Sequence, residues 1–255
     1  MGFYTITNDM MVLTSEVSQI MFEEIMGYDS LQNQITNDSS GSFGVGPNNP
    51  AYYVSWHMAA DFTNQFTILY NQIYQSTLQE CFSCQDLMTP QVECSFTMDP
   101  YQCDGFRLPT EAEWEYFTHS GSTNDLWTIH GDSSIPGSTQ CFGQYNTSTT
   151  PAEPIANYIW YCGIPNSTVY GSQSIAQLTP NGFGLYDTQG NVWEWTSDWW
   201  GCNLTGQNPS CVQSGSNKVF KGGSWKNPAY RVNTRSSYPP DERNYLIGFR
   251  LLRTY

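Results

Sequence analysis

Eight cysteines in 255 residues constrain this chain more than any other feature. They stand at Cys81, Cys84, Cys94, Cys103, Cys141, Cys162, Cys202 and Cys211. The count is even and the spacings fit no common metal ribbon. The pattern therefore predicts a disulfide framework and an extracytoplasmic or virion setting. Cys202 and Cys211 flank a loop containing Gly and Pro and are expected to pair. Cys141 with Cys162 is a second candidate pair. The connectivity of the remaining four stays open. Cys81-x-x-Cys84 keeps the alternative of half a zinc site, with Cys94 and Cys103 as the other half.

A stapled chain can fold with little regular structure, and the composition suits that. Only 13% of residues are charged, while aromatics reach 15%. Nine Trp and seventeen Tyr can supply a core where aliphatics are scarce. From 122 to 180 no period persists, and Gly, Asn, Ser, Thr and Pro dominate. Regular elements are expected elsewhere. Residues 3–13 alternate polar and apolar, as a strand or hairpin does. Thr14-Ser15-Glu16 reads as a helix start, with Val17, Ile20, Met21 and Ile25 at helical spacing up to Gly27. A second helix is expected from Ser55 to about Tyr74, with Trp56, Ala59, Ala60, Phe66 and Leu69 toward the core. Thr110 and Glu113 form a capping box for a third, running to Gly121. Strand signals follow at Phe183–Tyr186, Asn191–Trp195, Val219–Trp225 and Ile247–Leu252. No repeat or linker-like break interrupts the chain. A single domain over 1–255, of class α+β, is expected.

The net charge of −14 is unevenly spread. Residues 1–217 hold one cation, Arg107, against 21 anions; residues 218–255 hold eight cations against two anions. The simplest reading is an intramolecular match, with Arg235 and Arg250 pairing with carboxylates of the body. A surface for an acidic partner is the alternative. Nucleic acid is excluded as a partner, because an acidic body repels phosphate. No apolar run approaches the length of a membrane span, and Met1-Gly2-Phe3-Tyr4 opens no secretory signal. Export without a cleaved signal, as for virion proteins, or an already processed chain is expected. The sequence does not give the oligomeric state.

Three segments carry a resemblance. The first runs Arg107-Leu108-Pro109-Thr110-Glu111-Ala112-Glu113-Trp114-Glu115-Tyr116. The second is Asn181-Gly182-Phe183-Gly184-Leu185-Tyr186-Asp187, leading into Gly190-Asn191-Val192-Trp193-Glu194-Trp195. The third is a frame, Gly222-Gly223-Ser224-Trp225 and Gly248-Phe249-Arg250. In this order and spacing they resemble the formylglycine-generating enzyme (sulfatase-modifying factor) domain. The resemblance implies its variant of the C-type lectin fold. It also implies a calcium turn, with side chains of Asp187 and Glu194 and carbonyls of Gly190 and Val192 as ligands. Calcium takes six to eight oxygens, which such a mixture supplies in part. The alternative is a tight turn whose carboxylates only make hydrogen bonds.

The family's oxidases bind copper through two cysteines shortly after the Gly-Gly-Ser-aromatic motif, where soft sulfur selects Cu(I). The matching stretch, Lys226 to Thr234, has no cysteine. No copper is therefore expected, and no catalysis. The iron-dependent branch needs a histidine triad on an added domain, and His57, His119 and His130 are isolated. What lies inside the frame is Tyr, Asn, Ser and Asp, the residues of an adaptable paratope. This resembles the variable proteins of diversity-generating retroelements, which hold diversified residues within such a frame. The resemblance implies a ligand-binding region at about 220–250. Its candidate residues are Trp225, Lys226, Asn227, Tyr230, Asn233, Ser237, Tyr238, Asp241, Glu242, Asn244 and Tyr245. Trp225, Tyr230, Tyr238 and Tyr245 are expected to supply contact area. The ligand class implied is a protein or glycan on a cell or virion surface. The alternatives are a metal-dependent oxidase of the family and a member whose surface is not diversified.

Overall fold

The computed structural model describes residues 4–31, 43–124, 126–133, 141, 154–162 and 170–255. Three α-helices begin at side-chain caps, which satisfy amides that have no partner within the helix. α1 (Gln19–Met26) starts at Ser18, whose hydroxyl accepts from the Met21 amide, and stops at Gly27 with φ +73°. The start is later than the expected Thr14-Ser15-Glu16, because Glu16 is drawn into the core. α2 (Trp56–Tyr74) is capped by Ser55 in the same way. α3 (Glu111–Thr118) opens on the expected capping box of Thr110 and Glu113.

The strands are short: β1 (Tyr4–Thr5), β2 (Met10–Val12), β3 (Phe82–Gln85), β4 (Glu93–Phe96), β5 (Leu126–Thr128) and β6 (Gly131–Ser133). Then come β7 (Trp193–Trp199), β8 (Gly206–Gln207), β9 (Lys218–Lys221), β10 (Arg235–Tyr238), β11 (Ile247–Gly248) and β12 (Leu252–Thr254). The largest sheet has the order β10-β9-β7-β11, with β11 parallel to β7 and the other pairs antiparallel. β1 and β2 do not form the hairpin that 3–13 allowed. β1 pairs with β8 and β2 with β12, so long-range partners outcompete the local turn. Phe183–Tyr186 is a turn: the Asn181 side-chain oxygen accepts from the amides of Phe183 and Leu185 at 3.0 and 3.1 Å. Few helices, many short strands and long irregular connections make the class α+β.

All eight cysteines are paired: Cys81–Cys103, Cys84–Cys94, Cys141–Cys162 and Cys202–Cys211. Both expected pairs form. The zinc alternative at Cys81 and Cys84 is overturned, since its four sulfurs are spent in two disulfides, Cys84–Cys94 across the β3–β4 hairpin and Cys81–Cys103 at its base. The core is aromatic, with Trp56, Trp114, Trp195, Tyr52, Phe22, Phe62, Phe117 and Phe249 all but sealed from solvent. Part of the basic tail is matched within the molecule. Lys221 reaches Glu115 at 2.6 Å, Arg235 reaches Glu111 at 3.0 Å and Arg250 reaches Glu194 at 2.7 Å. Among the described residues no helix is long and apolar enough to cross a membrane.

Candidate ligand-binding surface

The frame is built by two motifs locking together. Gly222 and Gly223 hold φ of +100° and +71°, a region that glycine enters without strain. That bend lets the Gly222 carbonyl accept from the Gly190 amide at 2.7 Å. Three residues later the Trp225 amide donates to the Asn191 carbonyl at 2.8 Å. Gly190 itself has φ +88°, and a Cβ there would stand 2.2 Å from the Trp160 carbonyl oxygen. The other end is fixed by Arg250, fully buried, whose guanidinium donates to both oxygens of Glu194 and to the Tyr186 carbonyl. Burial opposes that charge, but Glu194 outweighs it and holds Arg250 above its ordinary pKa. Trp114 Nε1 also donates to Glu194, at 2.8 Å.

Between these anchors the candidate residues fall into groups. Asn227, Tyr238 and Asn244 come together around a shallow depression of about 220 Å³, floored by Trp193 and Phe220 and edged by Arg231. Tyr238 is the exposed ring, 5.2 Å from Phe220. Asn227 is oriented by the Trp193 indole at 2.8 Å and the Ser224 hydroxyl at 2.6 Å. Ser237 lies beside Tyr238 on β10, opposite Val219. A second group surrounds Trp225, and here the expectation is corrected. Trp225 is only 7% exposed, so it serves as a wall and offers no contact area. It packs against Phe43 and Tyr170, with ring centroids 5.9 and 4.8 Å away. Tyr245 is half-buried, stacked on Phe43 at 4.3 Å, and its hydroxyl meets the exposed Lys226 ammonium at 2.6 Å.

The rest lie apart from the depression. Asn233 accepts from the Gln189 side chain at 2.7 Å. Tyr230 is half-buried under the Arg231 guanidinium, 5.4 Å from its ring centre. Asp241 and Glu242 are exposed at the tip of the 239–246 loop, with Asp241 3.6 Å from His57. Arg243 ties that loop down through the carbonyls of Tyr53 and Ser30 at 2.7 and 2.8 Å. Trp193, Phe220 and Arg231 were missed as site residues. Residues 193 and 195 share a strand face and both indoles are buried, so no local signal marks Trp193 as the floor of a depression.

Beneath the frame lies a buried carboxylate cluster. Glu16, Asp187 and Glu194 gather around Arg250. Burial, then the charges of Asp187 and Glu194, push Glu16 well above the usual carboxylate range. Burial pushes Asp187 up to about 6, although its Oδ2 accepts from the Ala176 amide. Glu16 Oε1 is a buried oxygen without a hydrogen-bond partner among the described residues, and the buried Asp187 Oδ1 has only the Trp160 indole as a neighbouring donor.

The family model of the sulfatase-modifying factor enzyme 1-like domain matches residues 4–255. The chain belongs to that family. Within it, the chain is 37% identical over 159 residues to formylglycine-generating enzyme of Mus musculus. That match covers 57% of this chain and 38% of the mouse protein. It is 29% identical over 159 residues to inactive C-alpha-formylglycine-generating enzyme 2 of the same species. The chain thus spans less than half the length of these curated relatives. Among solved structures, Treponema denticola variable protein 1 superposes with a TM-score of 0.71 at 25% identity, covering 96% of this chain and 84% of that one. The superposition, like the family match, fits the lectin-type fold of formylglycine-generating enzymes.

Proposed function

We propose that this family member is a non-catalytic recognition protein that presents the 226–245 surface to a protein or glycan ligand. One observation carries the reading. Where the family's oxidases need two thiolates, residues 212–255 hold no cysteine, and all eight cysteines of the chain are in disulfides. Thiol oxidation needs a thiolate nucleophile or metal ligand. In its place stand a ring, two amides and a guanidinium around a depression, which suits contact and hydrogen bonding. The similarity to variable protein 1 supports diversification of this face. The relatives named formylglycine-generating enzyme favour an oxidase, and the thiol state speaks against it. Four disulfides support an extracytoplasmic location, on a virion or cell surface.

The gene tests diversification. A near-copy of the codons for about 220–250, differing at adenines beside a reverse transcriptase gene, is expected. Its absence removes the retroelement reading. The oxidase reading is tested by oxygen consumption with a thiol peptide after copper loading. Turnover above the metal-only control would overturn the proposal.

Calcium belongs to the same reading, and the residues fit it in part. Asp187 fits, with a buried oxygen that has only the Trp160 indole as a neighbouring donor. Glu194 does not, because Arg250 and Trp114 already engage both its oxygens. Calcium on Asp187 and the carbonyls of Gly190 and Val192 would neutralise a buried charge and stabilise the frame. Chelation is expected to lower the thermal midpoint of the protein and not that of Asp187→Asn. An unchanged midpoint on adding calcium or chelator would sink this part.

A further inference from the structure

An apolar depression of about 350 Å³ lies between α2 and β2 and shares no residue with the recognition surface. Met11, Phe66, Leu69, Tyr70, Ile73 and Tyr74 form most of its wall. The helix residues among them recur at spacings of three and four, so they stand on one face of α2. That face runs past the core into solvent. Leu69 is 39% exposed, Ile73 62% and Tyr74 66%. Leu69, expected in the core, is therefore corrected to this surface. Contiguous apolar surface of this kind marks a binding site more often than chance exposure does.

The second observation is a cation beside it. Arg253 stands opposite Met11 in the β2–β12 pair, and opposed residues project from the same face of a sheet. Its guanidinium lies nearest the Tyr255 ring, at 5.0 Å, and 6.0 Å from the ring centres of Tyr70 and Phe106, two walls of the depression, so it stands at the rim. Arg107, Lys221, Arg235 and Arg250 each meet a carboxylate. Arg253 makes no ion pair among the described residues, and its buried Nε has no acceptor. Arg243 has two backbone carbonyls in place of a carboxylate, whereas around the Arg253 guanidinium the described residues supply rings only. A planar set of donors on an apolar rim is suited to a carboxylate.

We propose that the depression binds a small amphipathic carboxylate, with its apolar tail against α2 and β2 and its head on Arg253. Small-molecule pockets run from about 300 to 1,000 Å³. This one is near the low end, which suits a tail of medium length. The occupant is a free small molecule, and the site is independent of the recognition surface.

Calorimetric titration of the full chain with decanoate and with 1-decanol tests the assignment. Decanoate is expected to bind saturably at one site, at least about tenfold tighter than the neutral alcohol, the scale of one charge-assisted hydrogen bond. Arg253→Met keeps an unbranched side chain without the charge and is expected to erase that difference. Leu69→Trp fills the depression and is expected to weaken both ligands. Circular dichroism shows whether the variants fold, and the two-ligand comparison on the unaltered protein stands without them. No saturable decanoate binding, or equal affinity for the alcohol, overturns the proposal. So does a dimer that Ile73→Glu returns to monomer without any decanoate binding, because a second copy would then cover the face.

Discussion

Arg250 and Glu194 are both fully buried, and each is the main partner of the other. Removing one partner strands a charge in a medium that cannot solvate it. Arg250→Met is therefore expected to destabilise the fold by about 3–5 kcal/mol, read from urea unfolding. A loss below about 1 kcal/mol would mean that water reaches Glu194. Lys218 is a second buried charge with a different solution. Its ammonium sits 4.0 and 3.9 Å from the ring centres of Trp56 and Trp199 and donates to the Ser197 carbonyl at 2.7 Å. Burial pushes it from 10.5 down to about 7, against the pull of Asp198. Between those values the unfolded chain holds a proton that the fold has released. Stability therefore rises with pH through that window. Unfolding at pH 7 and pH 9 is expected to show this gain in the protein and not in Lys218→Met. Equal slopes for both would place the ammonium in contact with water.

At the scale of elements, the β3–β4 hairpin rests on covalent bonds more than on its own ladder. Cys84 and Cys94 are directly opposed in register, and Cys81–Cys103 ties its base. Replacing Cys84 and Cys94 together by Ser is expected to cost about 2–4 kcal/mol in urea unfolding under non-reducing conditions. A neutral effect would show that packing of Phe82 and Phe96 alone holds the hairpin. Elements written in local chemistry were legible in the sequence. Thr110 announces its helix by a capping box, and Cys202 and Cys211 announce their bridge by proximity. What was not legible depends on distant partners. The pairing of β2 with β12 needs 240 residues of intervening chain to fold, and no local period encodes it. The burial of Trp225 was hidden for a similar reason: its walls, Phe43 and Tyr170, lie far away in sequence. The frame residues were readable because each glycine answers a backbone need. The wall of the depression was not, because Trp193 looks like any strand core residue.

Across the whole molecule, three cations of the basic tail, Lys221, Arg235 and Arg250, are spent inward on Glu111, Glu115 and Glu194, so that part of its charge fixes the frame. The surface left outside is polar around Tyr238, with Arg231 at its edge and Lys226, Asp241 and Glu242 exposed in the same segment. Gly222, Gly223, Trp225, Phe249 and Arg250 are built into the fold together with the buried Ala229, Val232 and Ile247, whereas Lys226, Tyr238, Asp241 and Glu242 stand exposed between them. A scan of every substitution at 222–250 on a displayed library, scored by protease resistance, tests this division directly. Lys226, Tyr238, Asp241 and Glu242 are expected to accept nearly all residues, while Gly222, Gly223, Trp225, Phe249 and Arg250 accept almost none. If the four surface positions prove as intolerant as the frame, the segment is structural and the recognition account is contradicted.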